Sequence, residues 1–583
     1  MNKRKYRNLY YDVRPISNLK EMIESCAELY ADKPAFKVKD RPGGVYCDIM
    51  YWQLKDDIDA LGTAFISLGL KGKKIAVIGE NSYTWVITYL ATVNGTGVIV
   101  PLDRELPAKE IRNLLHRADV NAIVYSKKLE KTIVEILPEM EGIKTAISMA
   151  EDHDPASLCI PDLLAKGREL MAEGNREFLD AEINNEEMCS LLFTSGTTGL
   201  AKGVMLSHKN ITANVYNMSK YVRIIKNGIG LSVLPMHHSY EMTCHIFTGL
   251  YQGMAIAICE GLKYIQKNMA EVHATVMLGV PLIFEAIHKK IWKQAENSGK
   301  ADKLRLAIAL SKKFKLYNNQ ALVRKMFADI HTMTGNNVWQ FIAGGAAINP
   351  KVIEDFEAMG FPMIQGYGMT ENAPIIAVNR DVCSKSRSVG TPMPETEVRI
   401  LNPDASGMGE VICKGPSVMI GYYDNPEETE KVLVDGWLHT GDYGYFDDEG
   451  YLYITGRKKN VIVTKNGKNI FPEEVEFYLM ENKYILEALV HGVEDEKTGD
   501  TVVKAEVYPN FDLIKEEQGD LDIEQLRKFI KTTIDEINEQ MPLYKRVKRF
   551  SIRETEFEKT TTRKIKRYTA VNFGGHSKHK ENE

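Results

Sequence analysis

Apolar positions along this chain change period several times, and each change marks a new element. IDALGTAFISLGL (58–70) has helical spacing and ends at glycine. KIAVIG (74–79) is a short apolar run that reads as a strand, and Glu80-Asn81-Ser82 after it offers a helix start. A helix over 84–93, a turn at 94–97, a strand GVIVPL (97–102), a helix EIRNLLHR (110–117) and a strand NAIVYS (121–126) follow. This alternation predicts parallel sheet with helices on its faces. It returns over 186–280, where LLFT (191–194), LSVLP (231–235), AIAICE (255–260) and ATVMLGVP (274–281) read as strands and HIFTGLYQG (245–253) as helix.

The pattern then shifts. Residues 300–325 carry eight Lys/Arg and one Asp, with Leu304, Leu306, Ile308, Leu310, Phe314 and Leu316 between them. This is a basic amphipathic helical segment, either a solvated surface insertion or a membrane-surface contact. From 388 to 455, short strand-like pieces (TEVRIL, GEVICKG, GYLYITG) alternate with Gly-, Pro- and Asp-rich turns, which predicts a small antiparallel β subdomain. Past Arg457-Lys458-Lys459 the pattern becomes α+β, with a helix at 472–482, strands LEALVHGV and VVKAEVY and a helix at 521–539. A domain boundary is expected near 456–460.

Composition narrows the class. A chain of 583 residues with 44% hydrophobic content is a multi-domain globular protein, and a net charge of −5 makes no demand for nucleic acid. The eight cysteines are scattered without a CxxC pair, which argues against a zinc ribbon and favours a reducing cytoplasm. The basic start MNKRKYRNLYYDVRP has no apolar core of the kind a secretory signal needs. Trp85 to Leu102 is the most membrane-like stretch, but Asn94, Gly95, Thr96 and Gly97 interrupt it, so it reads as buried helix, turn and strand.

The densest chemistry lies in LLFTSGTTGLAKGVMLSH (191–208). After an apolar strand, Thr194, Ser195, Gly196, Thr197, Thr198 and Gly199 put four hydroxyls and two glycines into six residues, with Lys202 just beyond. Glycines let successive N–H groups converge on an anion, hydroxyls add donors, and the lysine adds charge, which is what a polyphosphate requires. A Walker A loop is excluded by Ala201 and Gly203, and a nucleophile elbow by Phe193. The segment resembles the signature phosphate loop of the adenylate-forming superfamily of acyl-CoA synthetases, luciferases and nonribosomal adenylation domains, with Ala201 where that pattern has Pro.

Three further blocks carry the resemblance. In QGYGMTENAP (365–374), with Gly366, Tyr367 and Gly368, it implies Tyr367 against adenine, Thr370 near the α-phosphate and Glu371 on Mg²⁺. Gly344, Gly345 and Ala346 of AGGAAIN match the turn that passes beside the adenine and the acyl group. In GWLHTGDYGYFDDEGYLYITGRKKN (436–460) it assigns Asp442 and Arg457 to the ribose and Lys459 to a hinge. Gly467 in TKNGKNIFPEEVE then belongs to the loop that the hinge brings in for CoA. In KTTTRKIKR (559–567), Lys564 aligns with the catalytic lysine, Glu558 and Arg563 depart from the pattern, and Lys566 is the rival. LPMHHSYEMT (234–243) resembles a segment of long-chain fatty acyl-CoA synthetases in which the residue matching His238 borders the acyl tunnel, with Glu241 also matching. The spacing of His237, His238 and His245 fits no common metal motif.

The resemblance implies an α/β fold: a large N-terminal domain (1–456) of doubly wound mixed sheets with a small β-barrel subdomain (about 388–455), a hinge (457–460) and a smaller, mobile α+β C-terminal domain (461–583). It implies an AMP-forming acid–thiol ligase, a long-chain fatty acyl-CoA synthetase using ATP, Mg²⁺ and CoA on a medium- to long-chain fatty acid. The alternatives are transfer to an acyl-carrier protein, a non-fatty carboxylate, or an inactive lipid-binding scaffold. No nucleic-acid partner is expected. The expected location is cytoplasmic, with peripheral membrane contact through 300–325 as the sharper reading of that segment.

Overall fold

The computed structural model describes residues 10–194, 201–223, 225, 227–463, 469–495, 501–560 and 564–567. The chain divides into two compact units, one of residues 1–196, 200–398 and 413–438, the other of 197–199, 399–412 and 439–583.

The larger unit is built on two mixed sheets. In the eight-stranded sheet, Lys74–Ile78 lies between Val98–Leu102 and Ala122–Tyr125 with all three parallel, as the alternating pattern predicts. Helices on its faces bury its apolar runs: Ile75, Ala76, Val77 and Ile78 are fully inaccessible. The predicted helix start holds, because Ser82 accepts a hydrogen bond from the Trp85 N–H and caps helix Tyr83–Ala91. The turn at 94–97 is a π-helical segment, Thr92–Thr96, ended by Gly97, where a Cβ would lie 2.1 Å from the Lys73 carbonyl. Toward one edge of this sheet lies the antiparallel hairpin of Met188–Thr194 and Lys202–Ser207, with Gly421–Tyr422 as the edge strand beyond it.

The second sheet has nine strands. Its parallel centre runs Met363–Gly368, Gln340–Ala343, Val276–Gly279, Ile229–Ser232, Ala255–Ile258 and Pro34–Lys39. Antiparallel strands close both edges, Tyr46–Met50 on one side and Ile375–Val378 with Thr391–Pro392 on the other. Phe284, Phe341, Phe356 and Phe361 fill the layer beneath it.

One expectation needs correction. The helix expected to open at 245 opens earlier, as a π-helical stretch Tyr240–Phe247 that runs into Thr248–Tyr251. The basic segment is helical, as its pattern predicts, and is built of helix Ala301–Phe314, a single turn Leu316–Asn318 and helix Gln320–Met326. Lys315 adopts the left-handed conformation (φ 52°) and stops the first helix just before that turn.

The strands expected over 388–455 form a five-stranded sheet that includes Glu397–Leu401, Gly409–Lys414, Trp437–Phe446 and Leu452–Arg457. The C-terminal α+β part packs helices Pro472–Met480 and Ile523–Asn538 with a three-stranded sheet of Ile485–Glu494, Thr501–Pro509 and Val547–Ile552. Val475, Leu479, Val490, Val507, Ile530 and Ile534 form its core. Among the described residues no helix is long and apolar enough to cross a membrane.

Candidate active site

The hairpin of Met188–Thr194 and Lys202–Ser207 places Thr194 opposite Lys202. Ser195, Gly196, Thr197, Thr198 and Gly199 lie outside the described residues. Lys202 is held from two sides: its ammonium is 2.5 Å from the Glu428 carboxylate and 4.8 Å from the centre of the Tyr422 ring. The Lys202 ammonium, with Lys431 second, holds Glu428 down at about 2. Strand pairing explains the arrangement. Gly421 and Tyr422 lie beside Met205 and Val204, and Asn425 caps the short helix Pro426–Val432 that presents Glu428. The Tyr422 hydroxyl in turn donates to Glu371 Oε1 at 2.9 Å. Tyr422 and Glu428 are absent from the sequence reading. The only local signal was a Pro-Glu-Glu helix start at 426–428 after Asn425.

The next group sits where two neighbouring parallel strands end, the place where open α/β sheets take ligands. Gly344, Gly345 and Ala346 follow Gln340–Ala343. Gly366, Tyr367 and Gly368 finish Met363–Gly368, and Thr370 and Glu371 form the single turn Thr370–Asn372 after it. Two of the glycines are required by close approach: a Cβ on Gly344 would lie 2.7 Å from the Tyr240 ring, and one on Gly368 2.1 Å from the Pro374 carbonyl. Tyr367 and Thr370 are half-buried, and Glu371 is 9% exposed.

His238 lies in the turn after Ile229–Ser232, its N–H bonded to the Pro235 carbonyl. It borders a small cavity whose other walls include Tyr89, Leu192, Ile211, Met236 and Met242. The neighbouring His237 is driven down to about 3, first by desolvation and then by Arg104, so it is neutral at physiological pH. Glu241 is fully buried and pairs with His245 Nδ1 at 2.9 Å across one turn of the π-helical stretch.

In the smaller unit, Asp442 stands directly opposite Arg457 across an antiparallel pair. Arg457 Nε reaches Asp442 Oδ1 at 2.8 Å, and its Nη1 donates to the Thr440 carbonyl. Lys564 is within electrostatic range of both. Its side chain reaches solvent, yet desolvation lowers its ammonium below the ordinary lysine value. Arg457 lowers it further and Asp442 opposes. Lys566 instead has its ammonium 4.0 Å from Glu558.

Lys564 is presented by a short hairpin. Thr560 N–H donates to the Lys564 carbonyl and Lys566 N–H to the Glu558 carbonyl, both at 2.8 Å, with Lys559 paired to Ile565 between them. Two anchors fix this hairpin. Ile565 packs against the cluster of Leu489 and Phe557, and Arg567 forms an ion pair with Glu476 while donating to the Val490 carbonyl. Burial pushes Glu476 up to about 7 even against Arg567. Lys459 is exposed in the one-turn segment Lys458–Asn460. On either side of it, Lys458 pairs with Glu410 at 2.7 Å and Asn460 donates to Glu473 at 2.7 Å. Gly467 and Arg563 lie outside the described residues.

Comparison with known proteins shows the family. Residues 23–423 match the family described as AMP-binding enzyme, and residues 459–572 the AMP-binding enzyme C-terminal domain. A long-chain-fatty-acid–CoA ligase of Salmonella typhimurium is 27% identical over 83% of this chain and 84% of its own length. Long-chain-fatty-acid–CoA ligase 5 of Rattus norvegicus is 30% identical over 78% and 70%. The fold matches the crystal structure of the anthranilate CoA ligase AuaEII in complex with anthranoyl-AMP, with a TM-score of 0.76, 20% identity and 98% of both chains covered. The chain belongs to the AMP-binding enzyme family.

Proposed function

We propose that this member of the AMP-binding enzyme family activates a medium- or long-chain fatty acid with ATP and transfers the acyl group to CoA. The observation that carries the reading is the cluster of Asp442, Arg457 and Lys564. Two motifs more than a hundred residues apart in sequence supply a carboxylate, a guanidinium and a desolvated ammonium that sense one another.

In the first step a carboxylate oxygen attacks the α-phosphorus of ATP. A new P–O bond forms, the bond to pyrophosphate breaks, and acyl-AMP results. Such chemistry is governed by positioning and charge stabilisation. Lys564, a cation held in a partly desolvated place, neutralises charge developing between the carboxylate and the α-phosphate. Lys202 and the loop from Thr194 hold the departing pyrophosphate, Thr370 the α-phosphate, and Asp442 with Arg457 the ribose hydroxyls. Tyr367 and the Gly344–Ala346 turn pack on the adenine. Glu371 fits a Mg²⁺ ligand, being a buried carboxylate with one oxygen fixed by the Tyr422 hydroxyl, and the ion would supply charge neutralisation along the phosphates. In the second step the CoA thiol attacks the acyl carbon and AMP leaves. We place the change between steps at Lys459, which turns the C-terminal domain (461–583) and exchanges Lys564 for the loop around Gly467.

The test is a panel of carboxylic acids of increasing chain length with ATP, Mg²⁺ and CoA, with every product identified. The reading requires AMP, pyrophosphate and acyl-CoA in equal amounts, best with acids of medium or long chain. Transfer from acyl-AMP to a carrier protein but not to CoA would replace the acceptor. A preference for short or aromatic acids would replace the substrate. Absence of carboxylate-dependent ATP–pyrophosphate exchange would leave a scaffold.

A further inference from the structure

Helix Ala301–Phe314 has two apolar faces, and the fold uses one of them. On the inner side Ile308 and Ser311 are buried, Leu304 and Ala307 pack on the core beneath the nine-stranded sheet, and Ser311 Oγ donates to the Ala358 carbonyl at 2.6 Å. Lys312 also turns inward and pairs with Asp355 at 2.8 Å. The helix is therefore anchored without help from its outer face.

That outer face carries Leu306, Leu310 and Phe314, exposed by 61%, 39% and 62%. Spaced at i, i+4 and i+8, they form one continuous ridge of about 12 Å along the helix. Beside the ridge stand Lys303, Arg305 and Lys313, with Lys315 at its C-terminal end. Arg305 is matched by Asp302 at 2.5 Å. Among the described residues no carboxylate is paired with Lys303, Lys313 or Lys315. An exposed apolar ridge bordered by basic side chains is the pattern of a helix that lies in a lipid–water interface, apolar side chains among the acyl chains and ammonium groups among the phosphates.

We propose that this face of helix Ala301–Phe314 docks the protein on a bilayer surface rich in anionic lipid headgroups. Two observations favour lipid over a second copy of the chain. A symmetric contact would set Lys303, Arg305, Lys313 and Lys315 against the same cations of the other copy. Three side chains on one helix also fall well short of the roughly 1,200 Å² that a stable protein interface buries. A bilayer requires no matching shape and supplies the opposite charge. The proposal does not depend on the reaction proposed above, because none of these residues belongs to the candidate active site.

The experiment is co-sedimentation of the full chain with phosphatidylcholine vesicles, with and without phosphatidylglycerol, at low and high salt. The expected result is binding to the anionic vesicles roughly tenfold stronger than to the neutral ones and weakened by salt. Leu306→Gln/Phe314→Gln and, separately, Lys303→Glu/Lys313→Glu are each expected to reduce that binding about tenfold. Both double variants should keep the wild-type circular dichroism spectrum and melting temperature, since all four side chains point to solvent. Equal binding to neutral and anionic vesicles, or variants that bind as wild type does, would overturn the proposal. So would a wild-type dimer in solution that Leu306→Gln/Phe314→Gln converts to monomer.

Discussion

The polar groups of the larger unit and Lys564 of the smaller one are held in different ways. Lys202 opens a strand of the eight-stranded sheet, Glu371 follows a strand of the nine-stranded sheet and Glu428 stands on helix Pro426–Val432; Tyr422 contacts the first two and Lys202 pairs with the third, so each is held by a neighbour on a regular element. Lys564 rides on a hairpin of a few residues, fixed by Ile565 on one side and by Arg567 in its pair with Glu476 on the other. Under the proposed mechanism Lys564 serves only the first step, so its loss should spare the second.

The largest break in that comparison is Lys564→Ala. Overall acyl-CoA synthesis from acid, ATP and CoA should fall by about 10²–10³-fold, the scale on which removal of one preorganised charge acts. Next is Arg567→Ala, which leaves Lys564 in place and cuts one of its anchors. We expect adenylation to fall roughly ten- to a hundredfold, in kcat more than in the KM for ATP, with Arg567→Lys recovering part of the rate. Equal losses in kcat and in stability alone, with no recovery by lysine, would reduce the pair to a purely structural one.

A smaller effect should come from Glu428→Gln. Glu428 competes with phosphate for the Lys202 ammonium, so its neutralisation should lower the KM for ATP by about two- to fivefold with kcat unchanged. A raised KM would show instead that Glu428 orients Lys202 for the nucleotide. The mildest prediction concerns pH. Desolvation and Arg457 lower the Lys564 ammonium, so its charge is present at low pH and lost on the alkaline side earlier than for an ordinary lysine near 10.4. The alkaline limb of acyl-AMP formation should therefore lie below that value, and thioester formation from supplied acyl-AMP should lack this limb.

Much of this was legible in the sequence, for physical reasons. Strands such as Lys74–Ile78 are covered on both faces and so read as unbroken apolar runs, and Ser82 announces the helix that it caps. The glycines at 344 and 368 stand where any Cβ would collide, so composition marked those turns. Contacts between distant segments were not legible. Glu428 meets Lys202 only because Gly421–Tyr422 lies beside Lys202–Ser207, and Arg567 meets Glu476 across 91 residues. The π-helical stretch Tyr240–Phe247 has no period that an apolar pattern reveals, which moved the expected helix start to 245. The left-handed break at Lys315 lies in a segment whose composition favours unbroken helix.

The most direct test of the division between the two regions is to run the two half-reactions separately on Lys564→Ala. Fatty-acid-dependent ATP–pyrophosphate exchange is expected to be lost, while conversion of supplied acyl-AMP and CoA to acyl-CoA stays within a few-fold of wild type. Equal loss in both half-reactions would contradict that division.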